Sequence, residues 1–278
     1  MSQTIYWGFF VFRHQSPHQS HHMVMTHPHI QGYPMSRLTT RETMRHKMNS
    51  NRKTAAVAGW LYVFGLVTGI LSVAYAVDAP DYLLKAAANA NEVMAAAFFQ
   101  LMMAPAYVGI AIALYPILKL YHPHLAFGFA SFRVIAGGFI ILAVIFLLLI
   151  LTLSQEFVRA GAPEAAYFQT LGVLLQTGRD LMNHIAMIFA VSLSSLMYYM
   201  MLYQTRLVPR WLSGWGLVGT ILIIFATLLV MFRLIGIITT GYLILTFPMI
   251  LQEMVLAVWL IFKGFNPSVI SALSAKKN

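Results

Sequence analysis

The sequence predicts an all-α, polytopic integral membrane protein, a bundle of six transmembrane helices. Three observations predict it. Six apolar stretches each exceed the roughly 20 residues that a helix needs to cross a hydrocarbon core of about 30 Å. Apolar residues make up 59% of the 278-residue chain and charged residues only 9%, far below the roughly 25% of a water-soluble domain. Basic residues also collect on alternate connecting segments, as oriented membrane helices require. Strands are a poor spanning element here. Barrel strands alternate with period two over about 10 residues, whereas Ile140 to Leu151 is apolar on every side.

Taken in order, residues 1–50 form a His-rich extension, 51–266 the six-helix domain and 267–278 a short basic tail. The extension carries His14, His18, His21, His22, His27, His29 and His46 among Pro, Ser and Gln, without a sustained apolar period, and is expected to be disordered. Its histidine spacing fits no compact four-ligand pattern, so neither a structural metal nor any other cofactor is expected. The apolar run Ile5 to Phe12 is short and lacks a preceding basic region, so the first span is expected to act as an uncleaved signal. The natural start is expected at Met35, Met44 or Met48.

The spans are expected at 54–77, 93–118, 126–153, 181–203, 212–233 and 241–262. Gly65 and Gly69 in the first, with Gly59 and Ser72 nearby, let its backbone approach a neighbour, expected within the bundle rather than across a dimer. Pro105 in the second and Pro248 in the sixth each remove a backbone donor, so kinks are expected there. Trp211 and Trp215 flank the start of the fifth and Trp259 lies near the end of the sixth, where indoles favour the headgroup zone. No repeat relates the first three spans to the last three, so the inverted symmetry of many secondary transporters is missing.

One side of the membrane receives Arg37, Arg41, Arg45, Lys47, Arg52 and Lys53, then Lys119, Arg206, Arg210, Lys263, Lys276 and Lys277. The other receives Lys85, Arg159, Arg179 and Arg233 beside Asp78, Asp81, Glu92, Glu156, Glu164 and Asp180. Both termini are therefore expected in the cytoplasm, with the chain a multi-pass protein of a bacterial plasma membrane. The net charge of +10, concentrated beside the first span, points to the lipid bilayer and its anionic headgroups as partner. Nucleic acid is not expected, since no basic patch with interleaved aromatics forms outside the spans. A membrane-protein partner fits the same surface, and the oligomeric state is left open. With no cysteine, disulfides and thiolate metal sites are excluded.

Charges inside hydrocarbon cost several kcal/mol and mark candidate sites. Arg133 in the third span and Glu253 in the sixth both fall roughly 12 to 14 Å from the cytoplasmic face at 1.5 Å per residue, so an ion pair between them is geometrically possible, either as a gate or proton-linked site or, the favoured reading, as a clasp between helices. Gln252 is expected to extend it into a hydrogen-bond network. A second cluster lies at the outer end, where Asp180 and His184 are four residues apart on one helix face, Asn183 adjoins them and Glu92 reaches a similar depth. Such a set can hold a divalent metal or relay protons, or simply suit a helix N-terminus. Arg179 and Arg233 are expected to neutralise these acids. Hydrolase, metalloprotease, P-loop and dinucleotide motifs are absent from the sequence, so no catalytic residue is expected.

Four segments resemble one another's company in a known family: Tyr115, Pro116, Ile117, Leu118 and Lys119; Phe132 and Arg133; Leu207, Val208, Pro209, Arg210, Trp211 and Leu212; and Pro248 with Gln252, Glu253, Met254, Trp259, Leu260, Lys263, Gly264 and Phe265. Together they resemble the bacterial membrane family of domain of unknown function 4386 over about residues 50–266. The resemblance implies a six-helix membrane protein of unassigned role and supplies no catalytic residue. The family pattern often places an acid after the Phe-Arg pair in the same helix. Here the third residue after Arg133 is Ala136, which points to Glu253 as the arginine's partner, or leaves it to carbonyls or water. The function expected is a non-enzymatic accessory or stress-related membrane protein; the alternative is a small-solute or ion permease using Arg133, Glu253 and the outer cluster.

Overall fold

The computed structural model describes residues 40–161, 165–237 and 239–275. Among them are helices and no strand: α1 Thr40–Leu71, α2 Tyr75–Asp78, α3 Tyr82–Ala88, α4 Ala90–Leu118, α5 Pro123–Arg159, α6 Ala165–Asp180, a π-helical segment Leu181–Met187, α7 Ile188–Thr205, α8 Arg210–Met231, α9 Thr240–Phe262 and α10 Pro267–Ala275. Six of these, counting α6 to α7 as one rod, are long and apolar enough to cross a membrane. The protein is a multi-pass membrane protein.

The six spans close into a ring in chain order. α1 packs on α4, α4 on α5, α5 on α7, α7 on α8, α8 on α9, and α9 returns to α1. Short connections between antiparallel neighbours produce this order. The ring closes where the two ends of the bundle meet: Arg52 on α1 donates from Nη2 to the Phe262 carbonyl at 2.8 Å, satisfying a terminal acceptor of α9. Gly264, at φ +70°, ends α9 in the left-handed conformation that glycine adopts without penalty. The Asn266 amide then donates to the Leu207 carbonyl at 2.9 Å, tying the α9–α10 turn to the α7–α8 turn. We call this the terminal end of the bundle and its opposite the far end.

Several element limits differ from the expected ones. α1 begins at Thr40, eleven residues earlier than the expected membrane domain and inside the segment expected as a disordered extension; residues 1–39, with His14 to His29, lie outside the described residues. It ends at Leu71 rather than 77, because Ser72 turns its hydroxyl back to the Gly69 carbonyl at 2.7 Å and competes with the next helical bond. α4 and α9 continue through Pro105, Pro116 and Pro248 without interruption. The C-terminal segment, expected as a simple tail, contains α10.

α5 has 37 residues, roughly 55 Å at 1.5 Å per residue, well beyond a hydrocarbon core of about 30 Å. The α6–α7 rod overshoots with it. Their extra turns gather α2 and α3 into a second core at the far end, where Val77, Leu83, Leu147, Ile150 and Phe157 are buried and Phe168 packs against them. On its surface Lys85 pairs with Asp81 at 2.8 Å and holds that carboxyl below its usual range. The pair is exposed and screened, so its contribution to stability is small.

The GxxxG face of α1 turns inward. A Cβ at Gly65 would meet Ala106 and Tyr107 at 3.7 and 3.8 Å, and one at Gly69 would meet the Met103 sulfur at 3.4 Å. Both glycines thus serve the α1–α4 contact, inside one bundle as expected.

Candidate functional site

Arg133 is the largest fully buried side chain among the described residues, 1% exposed, on α5 inside the ring. Its guanidinium carbon lies 5.8 Å from the ring centre of Tyr62 on α1, 5.2 Å from that of Tyr107 on α4 and 5.9 Å from that of Phe129 one turn away on α5. Ring quadrupoles attract a cation at such distances, and desolvation strengthens the effect. Nη2 reaches the Tyr62 hydroxyl at 3.5 Å, a long and weak bond. The Nε–H is buried with no partner.

The direct ion pair that equal depth allows between Arg133 and Glu253 is not formed: no salt bridge within 4 Å joins them among the described residues. They instead line one cavity of about 590 Å³. The guanidinium lies among the three aromatic rings, and Glu253 lines the same cavity from α9. Gln252 does not join them either. Neighbouring positions on a helix point about 100° apart, so Gln252 faces the opposite wall, where its Oε1 accepts from the Tyr199 hydroxyl at 2.8 Å and its Nε2 donates to the Leu212 carbonyl at 3.1 Å. Gln252 is wholly buried and clasps α9 to α7 and α8.

The cavity opens sideways. α1 and α9 touch at Gly59, where a Cβ would meet the Ala257 carbonyl at 2.8 Å and Ile261 at 2.7 Å, and the cavity lies beyond this contact, lined by Tyr62, Leu66 and Ile70 of α1 and Ile250, Glu253 and Met254 of α9. The rim of the resulting cleft carries Val67, Ile70, Val73, Met254 and Val258, each at least 45% exposed on the outside of the bundle. A rim of exposed aliphatic side chains on helices long and apolar enough to cross a membrane suits hydrocarbon rather than water.

The second expected cluster comes apart. Glu92 accepts from the Ala76 amide at 3.4 Å, at the base of α2. Asp180 is held by Arg179 at 3.2 Å, and the same guanidinium pairs with Asp78, so Arg179 neutralises acids as expected; Arg233 forms no such pair among the described residues. Asn183 accepts from Gln100 on α4 at 2.7 Å. His184 makes no ion pair with Asp180 and sits edge-on to Tyr242, ring centres 6.3 Å apart, with its Nδ1 buried and unpartnered. The cause is the π-helical segment Leu181–Met187. Its wider i→i+5 turn removes the i, i+4 alignment on which that cluster depended. Among the described residues no three His, Asp or Glu side chains stand where they could share a metal.

Between the two polar regions lies an apolar layer. Met103 and Ala104 on α4 and Ile140 on α5 form a buried cluster with Met187 against it. These residues fall on their helices between Arg133 and Tyr107 on one side and Gln100, Asn183 and His184 on the other. The cavity that holds Arg133 and Glu253 is lined by none of Asp180, Asn183 and His184.

Tyr62, Tyr107 and Phe129 were not singled out in the sequence. They lie on three separate spans, and an aromatic residue in a membrane helix carries no mark of which way it faces. Their only signal is indirect: a buried arginine with no acid within a few turns on its own helix must find other electron-rich partners.

A family model described as Domain of unknown function (DUF4386) matches residues 57–264, most of the chain. Neither the curated proteins nor the solved structures contain a match.

Proposed function

Since the chain belongs to the DUF4386 family, whose description assigns no role, we propose from its geometry that it is a non-enzymatic accessory protein of the bacterial plasma membrane. It acts by binding a membrane-soluble molecule in the cleft between α1 and α9. The observation that carries this reading is a buried cation and a carboxylate facing one cavity whose rim is made of outward-facing aliphatic side chains. A pocket of a few hundred Å³ with few polar groups in apolar walls is the usual form of a small-molecule site. Intramembrane ionisable groups are kept at a cost, and function is the common reason.

Permeation would need a wet path joining this cavity to Gln100, Asn183 and His184, and none of these polar residues lines it. The basic residues at the terminal end, Arg52, Lys53, Lys119, Arg206, Arg210 and Lys263, support termini in the cytoplasm beside anionic lipid.

The test is native mass spectrometry of the purified chain after stringent removal of bulk lipid, comparing wild type with Arg133→Met. Methionine approximates the arginine stem in volume, and replacing a buried charge by an apolar side chain is often neutral for folding. The wild type is expected to retain a specific low-mass ligand that the variant loses, while Val134→Ala on the lipid-facing side of α5 retains it. Equal ligand occupancy in wild type and Arg133→Met, or none in either, contradicts the reading.

A further inference from the structure

The occupant of the α1–α9 cleft can be narrowed by charge, depth, hydrogen bonding and shape; this step rests on the reading of the cleft as a ligand site. Charge is the first constraint. Arg133 and Glu253 both line the cavity, so with Glu253 ionised the pair is neutral and a charged head would leave a net charge buried in hydrocarbon. An uncharged head preserves the balance.

Depth is the second. Arg133 is ten residues from the start of α5 and Glu253 nine from the end of α9, which places both roughly 13 to 15 Å from the terminal face at 1.5 Å per residue. Half of a 30 Å core is about 15 Å, so the polar part of the ligand sits near the bilayer centre. Phospholipid heads would have to give up their hydration to reach it. A molecule that resides in hydrocarbon with its polar atoms included does not.

Hydrogen bonding is the third. The Arg133 Nε–H is buried without an acceptor, and a donor left so costs about 1–3 kcal/mol; the missing group on the ligand is an acceptor such as a carbonyl oxygen. Shape is the fourth. Tyr62 and Tyr107 flank the guanidinium and line the cavity, and aromatic walls favour a flat ring in offset or edge contact. Val67, Ile70, Met254 and Val258 at the rim leave an apolar exit for a chain.

We propose that the cleft binds a lipid-soluble quinone, its ring between Tyr62 and Tyr107, one carbonyl accepting from Arg133, and its apolar chain leaving between α1 and α9 into the bilayer. The claim concerns binding alone. In the reduced form, a ring hydroxyl would donate to the Glu253 carboxylate across the cavity.

The full chain in nanodiscs of neutral lipid is titrated with decylubiquinone, following quenching of its intrinsic tyrosine and tryptophan fluorescence, with oleate and dioleoylphosphatidylglycerol as competitors. Saturable quenching is expected, with Kd weakened about tenfold or more in Arg133→Met, the scale of one hydrogen bond to a charged group. Val258→Trp, which narrows the mouth from a lipid-exposed position, is expected to weaken it while leaving thermal stability unchanged. Neither competitor should displace the quinone. Non-saturable quenching, or equal binding in wild type and both variants, overturns the quinone assignment. If oleate or phosphatidylglycerol binds at the cleft instead, the assignment also falls, while the ligand-site reading stands. If the mass spectrometric comparison shows no cleft-dependent ligand, that underlying reading falls as well.

Discussion

A guanidinium at mid-span keeps its charge only where the protein replaces the water it has lost. Arg133 is supplied with three ring faces and one distant hydroxyl, which leaves a donor for a ligand rather than completing a closed pair. Gln252, one residue before Glu253, is a contrasting case: both ends of its amide are engaged, with Tyr199 and with the Leu212 carbonyl, so it holds helices and faces no cavity. Gln252→Leu should therefore lower the stability of the bundle by about 1–3 kcal/mol, because the Tyr199 hydroxyl is left buried without an acceptor. Tyr199→Phe should cost less, and the double variant should fall short of the sum, since the two residues share one bond. Thermal unfolding of the purified variants in one detergent checks both statements; additive losses would mean that the bond is unimportant. The same pair shows what a sequence carries at this scale. That Arg133, Gln252 and Glu253 lie in the membrane follows from their spans, but which faces the ligand depends on rotations of about 100° per residue that only packing fixes.

Helices meet here through small residues, and the seam between α1 and α9 depends on Gly59. Its missing side chain lets the Ala257 carbonyl and Ile261 approach, and the cleft lies beyond that contact. Gly59→Leu should push the two helices apart, destabilise the bundle by about 1–3 kcal/mol through overpacking and reduce ligand retention, read as earlier thermal unfolding and lost mass of bound ligand. Gly138→Ala, which meets no atom within 4 Å, should leave both unchanged. The existence of all six spans was legible, because twenty apolar residues in a row have no other use than lipid or a large core. Their limits were less so. The fourth was expected to begin at 181, yet its rod continues back through α6 to Ala165, which packs along α5 and has a mixed composition that gives no apolar run. The π-helical segment between α6 and α7 leaves no signature of its own in composition, and it undid the alignment of Asp180 with His184.

In the whole molecule, chain order and spatial order coincide: each span lies beside the next, and the first and last close the ring. Closure between the two ends of the bundle leaves one seam without a connecting loop, and the cleft lies in that seam. At the far end Arg179 ties α6 to Asp78 of α2 and Gln100 ties α4 to Asn183; none of these residues lines the cleft. The candidate site was thus half legible: Arg133 and Glu253 were identifiable as intramembrane charges at similar depth, but the lateral opening was not, because it depends on how α1 and α9 pack. The central claim is that this opening faces hydrocarbon. The chain has no cysteine, so single cysteines at Val67, Met254 and Val258 can be spin-labelled without background. In bilayers, dissolved oxygen should relax all three labels strongly and a water-soluble nickel reagent should hardly affect them; strong relaxation by nickel at the rim would reveal an aqueous vestibule and contradict the account.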